Sequence, residues 1–384
     1  MTPQREGPVH DDLSRGTEQS RPTGTLTRNQ EDAMATENGT STALPALPAI
    51  DDLLGPSASR FFGSGYLGTD PRLRNVAVRH DGTASRLDAR GSISVAERWS
   101  TKGDVDQLPH LSTTDVLVLA VQAAEILLAA TFSPAFLVDV ALRRVVVVAG
   151  KEPVEGAHQD FAVSARLDDA CRDRDVTVHA FVGTMTVEVT VHRPLAVAGR
   201  VDLTVASPDE LLGAAARRVH GAGYAGRSVD VREVATAGHG EAHAQLVTTA
   251  LPGTAEQDLG IGATARPSLS FVEAFVATLQ LAQVLLYELD QVPRADSSTL
   301  WMRRTVVESD GAALWLDTTH PIDVALVRPR LVVLRGETWR CAEARAVVGH
   351  GTTVHCDVAH RIPSPTTVSN PPTIAPPTEE RELS

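Results

Sequence analysis

The pattern of hydrophobic and polar positions changes its period twice within the first part of the chain. Apolar and polar residues alternate over Asn75–Arg79 and Gly91–Ala96, which predicts half-buried β-strands. The stretch Asp115–Ala130 is instead apolar on nearly every side and predicts a buried helix. Alternation returns over Val176–Phe181 and Met185–His192, so several more strands follow the helix.

The same succession of elements occurs a second time. Asp51–Gly55 and Asp209–Gly213 share the order acid, acid, Leu, Leu, Gly at a spacing of 158 residues, and the same spacing separates Gln122 from Gln280 in the two apolar stretches. A repeat of this length is too long for a solenoid or propeller unit. The sequence therefore predicts two fused copies of one small domain, with the second helix at about residues 270–289.

Each copy consists of strands, one wholly apolar helix and then several antiparallel strands. An α+β fold in which each half is a curved antiparallel sheet wrapped around one long buried helix is a tandem, or double, hotdog. A plain sandwich of unrelated topology is the alternative, but it leaves the buried helices unexplained. We expect the first repeat at residues 46–205 and the second at 206–363, joined as a pseudo-dimer within one chain. The composition predicts a disordered leader at 1–45 and a Pro-rich disordered tail at 364–384.

Composition and charge exclude several classes of function. The formal net charge is −13 and the acidic residues are spread along the chain, which argues against nucleic acid or a membrane as partner. No charged segment followed by an apolar run marks a secretory signal, so we expect a cytoplasmic protein. Cys171, Cys341 and Cys356 lack paired metal-ligand spacing, and we expect neither a metal nor a cofactor.

The segment Asp51–Pro56, followed by Arg60-Phe61-Phe62-Gly63-Ser64-Gly65-Tyr66, resembles the avirulence protein D (AvrD) family. The resemblance extends from about residue 50 to residue 363, and the layout is also similar to that of the A-factor synthase family. Both resemblances imply transfer of a 3-oxoacyl group from a thioester of an acyl carrier protein or coenzyme A to a small polyol or sugar such as xylulose, followed by ring closure. The implied product is a syringolide-like or butyrolactone-like signal. No catalytic residues are carried over from either family.

Candidate catalytic residues lie near the starts of the predicted helices. In a paired hotdog the acyl chain lies between the two helices, and free amides at a helix start can stabilise the oxyanion of a thioester carbonyl. Asp115 and Glu273 stand just inside the helices, where a carboxylate can act as a base toward a hydroxyl. Each also completes a Ser-x-x-acid capping box, with Ser112 or Ser270, and in that role only satisfies backbone amides.

Polar residues inside the apolar helices are a second group of candidates. Gln122 and Gln280 need hydrogen-bond partners, because an unpaired buried amide costs free energy. A catalytic role for both stands against a structural hydrogen bond across the seam between the helices. Glu125, which becomes Gln283 in the second copy, is a candidate for binding substrate at a single working site.

A histidine distinguishes the two copies immediately before their helices. His110 stands where the second copy has Ser268. An imidazole at this position can remove the proton from an attacking hydroxyl near neutral pH. A lone histidine in a loop is more often an ordinary surface residue, and that alternative stays open. His110 is the candidate catalytic base, and it marks the first copy as different from the second.

Two tyrosines and two arginines are candidates for binding substrate. Tyr66 and Tyr224 follow a Gly-x-Gly turn that lacks the third glycine and the lysine of phosphate loops, so a packed tyrosine is the simpler interpretation. Arg144 and Arg304 open strands in the two copies and are candidates for the phosphate of a thioester carrier.

Three functions fit these residues. The leading hypothesis is a biosynthetic enzyme that transfers a 3-oxoacyl group from a thioester to a sugar-like polyol. A dehydratase or thioesterase acting on acyl thioesters is the second hypothesis, and close approach of His110 and Glu273 would favour it. The third is a non-catalytic acyl-binding or regulatory module, in which the two acids only cap their helices.

Overall fold

The computed structural model describes residues 46–95, 99–150, 160–168, 174–194, 199–253, 259–264 and 266–363. The predictions of a disordered leader at 1–45 and a disordered tail at 364–384 lie outside these residues. The described residues belong to one compact unit that begins at Ala46. The division of this unit into two domains at residue 205 stays a prediction.

Two long helices form the centre of the molecule, and a short helix opens each copy. The helices are α1 (Ile50–Leu54), α2 (Thr113–Thr131), α3 (Asp209–Leu212) and α4 (Phe271–Asp290). The long helices begin where the capping boxes predict, and the side chains of Ser112 and Ser270 each accept a hydrogen bond from a first-turn amide. Every residue of α2 is buried, as expected for a helix that is apolar on all sides.

The strands of the two copies follow one plan. Those of the first copy are β1 (Thr69–His80), β2 (Ala84–Val95), β3 (Thr101–Lys102), β4 (Val105–Asp106), β5 (Ala141–Val148), β6 (Phe161–Asp168), β7 (Asp175–Val182), β8 (Met185–His192) and β9 (Leu203–Val205). Those of the second copy are β10 (Arg227–Thr236), β11 (Glu241–Ala250), β12 (Trp301–Ser309), β13 (Thr319–Leu334), β14 (Glu337–Val348) and β15 (Thr352–Arg361).

Thirteen strands of the described chain form one antiparallel sheet, in the order β10-β11-β13-β14-β15-β12-β5-β8-β7-β6-β2-β1-β9. The second copy supplies one side of the sheet and the first copy supplies the other. The two sides meet where β5 pairs with β12, with Val146 opposite Val306. The remaining strands, β3 and β4, form a separate hairpin that precedes α2.

Each long helix packs against the strands of its own copy. Helix α2 contacts β1, β2, β5, β6, β7 and β8, while α4 contacts β10, β11, β13, β14 and β15. A sheet that contacts one helix along so many of its strands curves around it, so the fold is the double hotdog that the sequence predicts. Both helices are long and apolar enough to cross a membrane, but they lie almost wholly inside the protein, which is typical of core helices.

The opening segment of each copy packs on the other copy. Helix α1 of the first copy contacts α4 and β10 of the second, and the amide of Val234 donates to the carbonyl of Pro48 at 2.9 Å. Helix α3 of the second copy contacts α2 of the first, and the amide of Asn75 donates to the carbonyl of Ala206 at 2.9 Å. Each copy is therefore bound to the other through its opening segment.

Candidate active site

Two cavities lie at equivalent places in the two copies, each beside the start of a long helix. The larger cavity has a volume of about 750 Å³ and is lined by the residues from His110 to Thr113. The smaller cavity has a volume of about 250 Å³ and is lined by the residues from Ser268 to Phe271. Ligand sites in proteins usually occupy several hundred Å³. The larger cavity is therefore the candidate active site.

The larger cavity has aromatic walls and a basic entrance. Phe61 stacks on Trp99 with ring centroids 4.5 Å apart, and three of the four tryptophans of the chain are among the lining residues. The basic side chains that line the cavity are Arg60, Lys102, Arg294, Arg303, Arg328 and Arg330. The last three are exposed and so lie at its solvent end, where Asp357 is also exposed and Glu343 pairs with Arg328. An apolar interior with cations at the entrance suits an acyl chain attached to an anionic carrier.

His110 lies in the wall of the larger cavity between two aromatic rings. Its ring centroid is 5.4 Å from that of Trp99 and 5.6 Å from that of Trp301. Its Nδ1 is 3.1 Å from the carbonyl oxygen of Leu108, and because a carbonyl can only accept, Nδ1 carries the proton. In the neutral ring Nε2 is then the basic nitrogen.

The start of α2 brings helix amides to the same cavity. Ser112 and Thr113 line it, and Thr113 is the first residue of the helix. The amides of a first helical turn have no partner further back in the helix and carry positive potential. A carbonyl oxygen bound here gains stabilisation as it becomes an oxyanion.

Asp115 and Glu273 both complete the capping boxes. Asp115 Oδ2 accepts from the amide and hydroxyl of Ser112 at 3.1 and 2.6 Å, and Glu273 Oε2 accepts from the same groups of Ser270. Glu273 also pairs with buried Arg227 at 3.3 Å. Asp115 Oδ1 has no hydrogen-bond partner, and burial raises the pKa of this carboxyl. Both acids therefore make structural contacts at the helix starts, and neither lines either cavity. A catalytic role for them stays a prediction.

Gln280 and Gln122 lie inside their helices in different surroundings. Gln280 Oε1 accepts from Arg60 Nη1 at 2.8 Å, and Arg60 also pairs with Asp51. This bond joins the opening segment of the first copy to the helix of the second. Gln122 is buried. Neither glutamine lines the larger cavity, although Arg60 does.

Glu125 binds protein groups of the second copy. Its Oε1 accepts from the amide of Ile261 at 2.9 Å, and its Oε2 is 3.5 Å from Nη1 of Arg218. A Cβ added to Gly260 would come within 2.2 Å of Glu125 Oε1, so the loop is pressed onto the carboxyl. Burial, only partly offset by Arg218, raises the pKa of Glu125 to about 7. This carboxyl lines neither cavity.

The predicted tyrosines and arginines lie away from the larger cavity. Tyr66 and Tyr224 stack on each other with centroids 6.4 Å apart, and burial raises the pKa of both phenols. Arg144 pairs with Glu188 and Glu308 on neighbouring strands, and Arg304 is exposed on β12. The neighbour of Arg304, Arg303, is the one that lines the cavity.

A hydrogen-bonded series of polar side chains, which reaches the larger cavity through Gln283 and Lys102, was missed by the sequence analysis. Gln283 Nε2 donates to the Tyr287 hydroxyl at 3.3 Å, the Ser297 hydroxyl lies 3.1 Å from that oxygen, and Lys102 Nζ donates to Ser297 at 2.9 Å. Arg294 lies beside it and donates to the carbonyl of Thr101 at 2.7 Å. The contacts of Lys102 and Arg294 join positions almost 200 residues apart, which single-sequence patterns do not reveal. The rarity of lysine is the one sequence signal that could have identified this group.

The smaller cavity differs in its polar groups. It is lined by His220 and Ser268, at the positions of Phe62 and His110 in the larger cavity. His220 is buried with neither ring nitrogen hydrogen-bonded, and burial together with nearby Arg227 lowers its pKa to about 3. Its imidazole therefore stays neutral at physiological pH. Among the described residues, no group of three or more His, Cys, Asp or Glu side chains is arranged to hold a metal ion.

The fold and the two cavities define the chain as a double hotdog protein with one enlarged site. The sequence profile of the Pseudomonas avirulence D protein (AvrD) family matches residues 46–363. The chain belongs to this family. No curated protein sequence matches the chain.

Several solved structures align with about three quarters of the chain. The tesB protein of Mycobacterium avium subs paratuberculosis is 13% identical, with 74% of this chain and 96% of that chain covered and a TM-score of 0.37. A putative oleoyl thioesterase from Lactobacillus plantarum is 9% identical, with 74% and 99% covered and a TM-score of 0.40. An acyl-CoA thioesterase II from Mycobacterium marinum is 12% identical, with 75% and 96% covered and a TM-score of 0.33. Similarity at this level carries no information about the chemistry of the site.

Proposed function

We propose that the protein transfers a 3-oxoacyl group from a thioester to a hydroxyl of a sugar-like polyol, in the larger cavity. The observation that carries the proposal is the position of His110, which lines a cavity of about 750 Å³ next to the first turn of α2. A base and an oxyanion site side by side are what acyl transfer to a hydroxyl requires. The product class is a syringolide-like or butyrolactone-like signal, in keeping with the AvrD family of the chain.

The reaction follows from the orientation of the imidazole. Nε2 of His110 takes the proton of the polyol hydroxyl, whose oxygen attacks the thioester carbon. The oxyanion that forms is stabilised by the amides at the start of α2. When the tetrahedral intermediate collapses, the carbon–sulfur bond breaks and the thiolate takes the proton back from His110. The polyol oxygen keeps the acyl group, and no water is consumed.

The lining of the cavity supports the choice of substrates. Aromatic rings along its wall suit the alkyl part of the acyl group, since apolar burial stabilises binding. Arg303 and Arg330 at the solvent end suit the phosphate shared by coenzyme A and acyl carrier proteins, whereas Arg328 there pairs with Glu343. Gln107 and Thr299 also line the cavity, and the Thr299 hydroxyl donates to Gln107 Oε1 at 3.4 Å. Their polar groups suit the hydroxyls of a polyol.

We infer a pseudo-dimer with one working site. In the second copy Arg227 pairs with Glu273 and donates to the carbonyl of Ser268 at 2.9 Å, beside a cavity of about 250 Å³ that has no His110 equivalent. The proposal includes a cytoplasmic location, a reducing compartment compatible with the free thiols of Cys341 and Cys356.

Mass spectrometry tests the proposed reaction. The protein is incubated with a medium-chain 3-oxoacyl thioester of coenzyme A, with and without xylulose, and the products are identified. We expect a xylulose-dependent product heavier than the free acid. Free acid or enoyl product alone would replace the proposal with a thioesterase or a dehydratase. Close approach of His110 and Glu273 would favour the dehydratase or thioesterase hypothesis. Glu273 is instead bonded to Arg227 and Ser270 and lines neither cavity, so its position does not favour that hypothesis.

A further inference from the structure

The chain uses lysine almost nowhere. Lys102 and Lys151 are the two lysines of the sequence, and all its other strongly basic side chains are arginines. A guanidinium keeps its charge at any physiological pH, whereas an amine can lose its proton and become a nucleophile. A lysine inside the candidate active site of such a chain is therefore a group whose chemistry arginine cannot replace.

Lys102 is held in the wall of the larger cavity. It is only 9% exposed and ends the short strand β3. Its Nζ donates to Ser297 Oγ at 2.9 Å and to the carbonyl of Ser298. The Ser297 hydroxyl donates in turn to the carbonyl of Arg294 at 2.8 Å, so its oxygen is an acceptor for the amine. A neutral amine has two N–H groups, which these two acceptors use, and its lone pair stays available.

The charges around Lys102 favour the neutral amine. The described hydrogen-bond partners of Nζ are both uncharged, the Ser297 hydroxyl and the Ser298 carbonyl. The ionisable groups that interact with Lys102 are Arg294 and His360, and the His360 ring is hydrogen-bonded to buried Asp290 at 2.8 Å. Burial and the neighbouring guanidinium of Arg294 lower the pKa of Lys102 to about 7. A lysine that is desolvated and placed beside another cation is the usual form of a lysine nucleophile.

The repeat provides an internal comparison. At the spacing of 158 residues, Lys102 corresponds to Gly260, and Gln283 corresponds to Glu125. In the smaller-cavity half, the loop at Gly260 is closed onto Glu125, with the Ile261 amide bonded to the carboxyl at 2.9 Å. In the larger-cavity half, the equivalent positions hold the amine of Lys102 and the neutral amide of Gln283, and both line the cavity. The lysine is therefore present in the copy whose cavity is open, and glycine replaces it in the copy whose loop is closed.

We propose that Lys102 forms a Schiff base with the ketone carbonyl of a 3-oxoacyl substrate. The amine nitrogen bonds to the ketone carbon, the carbonyl oxygen leaves as water, and a C=N bond replaces C=O. A proton then moves, by way of water, from the carbon between the C=N group and the acyl carbonyl to the imine nitrogen. The resulting enamine makes that carbon the nucleophile that ring closure onto the carbonyl of a ketose such as xylulose requires. Hydrolysis by one water then restores the lysine. The proposal rests on the 3-oxoacyl substrate of the proposed function and adds a second reaction to it.

The test uses a probe that cannot undergo acyl transfer. The full-length protein is incubated with pentane-2,4-dione, a β-diketone whose condensation with a lysine adds the mass of the dione minus one water. Intact mass and peptide mapping then locate the adduct. Lys151 is the matched control lysine, and Lys102→Arg and Lys151→Arg are the paired variants. Thermal unfolding of Lys102→Arg, and of Lys102→Gln as a second variant, verifies that both fold.

We expect one adduct, on Lys102, that is kept in Lys151→Arg and lost in both Lys102 variants. An unmodified wild-type protein, or modification of Lys151 and Lys102 to the same extent, would overturn the proposal. The acyl-transfer assay with xylulose is run in parallel. Transfer without a Lys102 adduct removes only the Schiff base, whereas an adduct without transfer keeps the amine chemistry and removes the proposed function.

Discussion

At the scale of single residues, His110 and Ser268 give the most direct comparison, because they occupy equivalent positions in cavities of different size. If His110 is the base, His110→Ala should lower kcat about 100-fold or more, the usual contribution of general base catalysis. Ser268→Ala should leave kcat unchanged. The measurement is steady-state turnover of a 3-oxoacyl thioester with xylulose. Equal losses in both variants would contradict a single working site.

Glu125 gives a second prediction, on stability. Its pKa is about 7 in the folded protein against an ordinary value of 4.5, so between these values the folded state binds more protons than the unfolded state. Its contribution to stability is therefore present below pH 4.5 and is lost as pH rises through about 7. Glu125→Gln should remove this loss, and its free energy of unfolding relative to wild type should rise by about 3 kcal/mol across the window.

Urea unfolding at several pH values measures the effect of Glu125→Gln. The matched control is Glu188→Gln, which makes the same chemical change at a half-exposed position on the sheet. If the difference between Glu125→Gln and wild type were the same at pH 4.5 and pH 7.5, the carboxyl would not titrate in this window. The proposed burial effect would then be wrong.

At the scale of elements, the features that depend on neighbouring residues could be predicted from the sequence. The two capping boxes mark helix starts at Ser112 and Ser270, and the apolar run after each one indicates a buried helix. The parts that could not be predicted depend on contacts between the copies. Lys102 meets Ser297 and Ser298 only because the hairpin of the first copy folds over the end of α4. Periodicity carries no information about such contacts.

The N-caps give a prediction at this scale, because both helices begin in the same way. Ser112→Ala and Ser270→Ala each remove a side-chain acceptor for a first-turn amide and should each lower the free energy of unfolding by about 1 kcal/mol. Only Ser112 lines the larger cavity, so only Ser112→Ala should also lower turnover. Urea unfolding and steady-state kinetics measure the two effects. A turnover loss in Ser270→Ala of the same size would mean that α4 also supplies an active site.

At the scale of the whole molecule, the copies share both a sheet and their opening segments. Strands β5 and β12 pair over five residues at the centre of the sheet, from Val148 opposite Arg304 to Arg144 opposite Glu308. Buried Arg60 of the first copy binds Gln280 on α4, and buried Arg218 of the second copy binds Glu125 on α2. Each copy thus lacks part of its own core when the other is absent.

This exchange predicts the behaviour of the two repeats when they are separated. Fragments 46–205 and 206–363, produced together, should form a 1:1 complex, because β9 stays with its partner β1 and all contacts between the copies can form again. Each fragment alone should fail to unfold cooperatively, since isolation exposes the β5 or β12 edge. It also separates Glu125 from Arg218 and Arg60 from Gln280, so each fragment keeps buried polar groups without their partners in the other copy. Size-exclusion chromatography and thermal unfolding test both statements. A single fragment that unfolds cooperatively as a monomer would show that the repeats are independent domains.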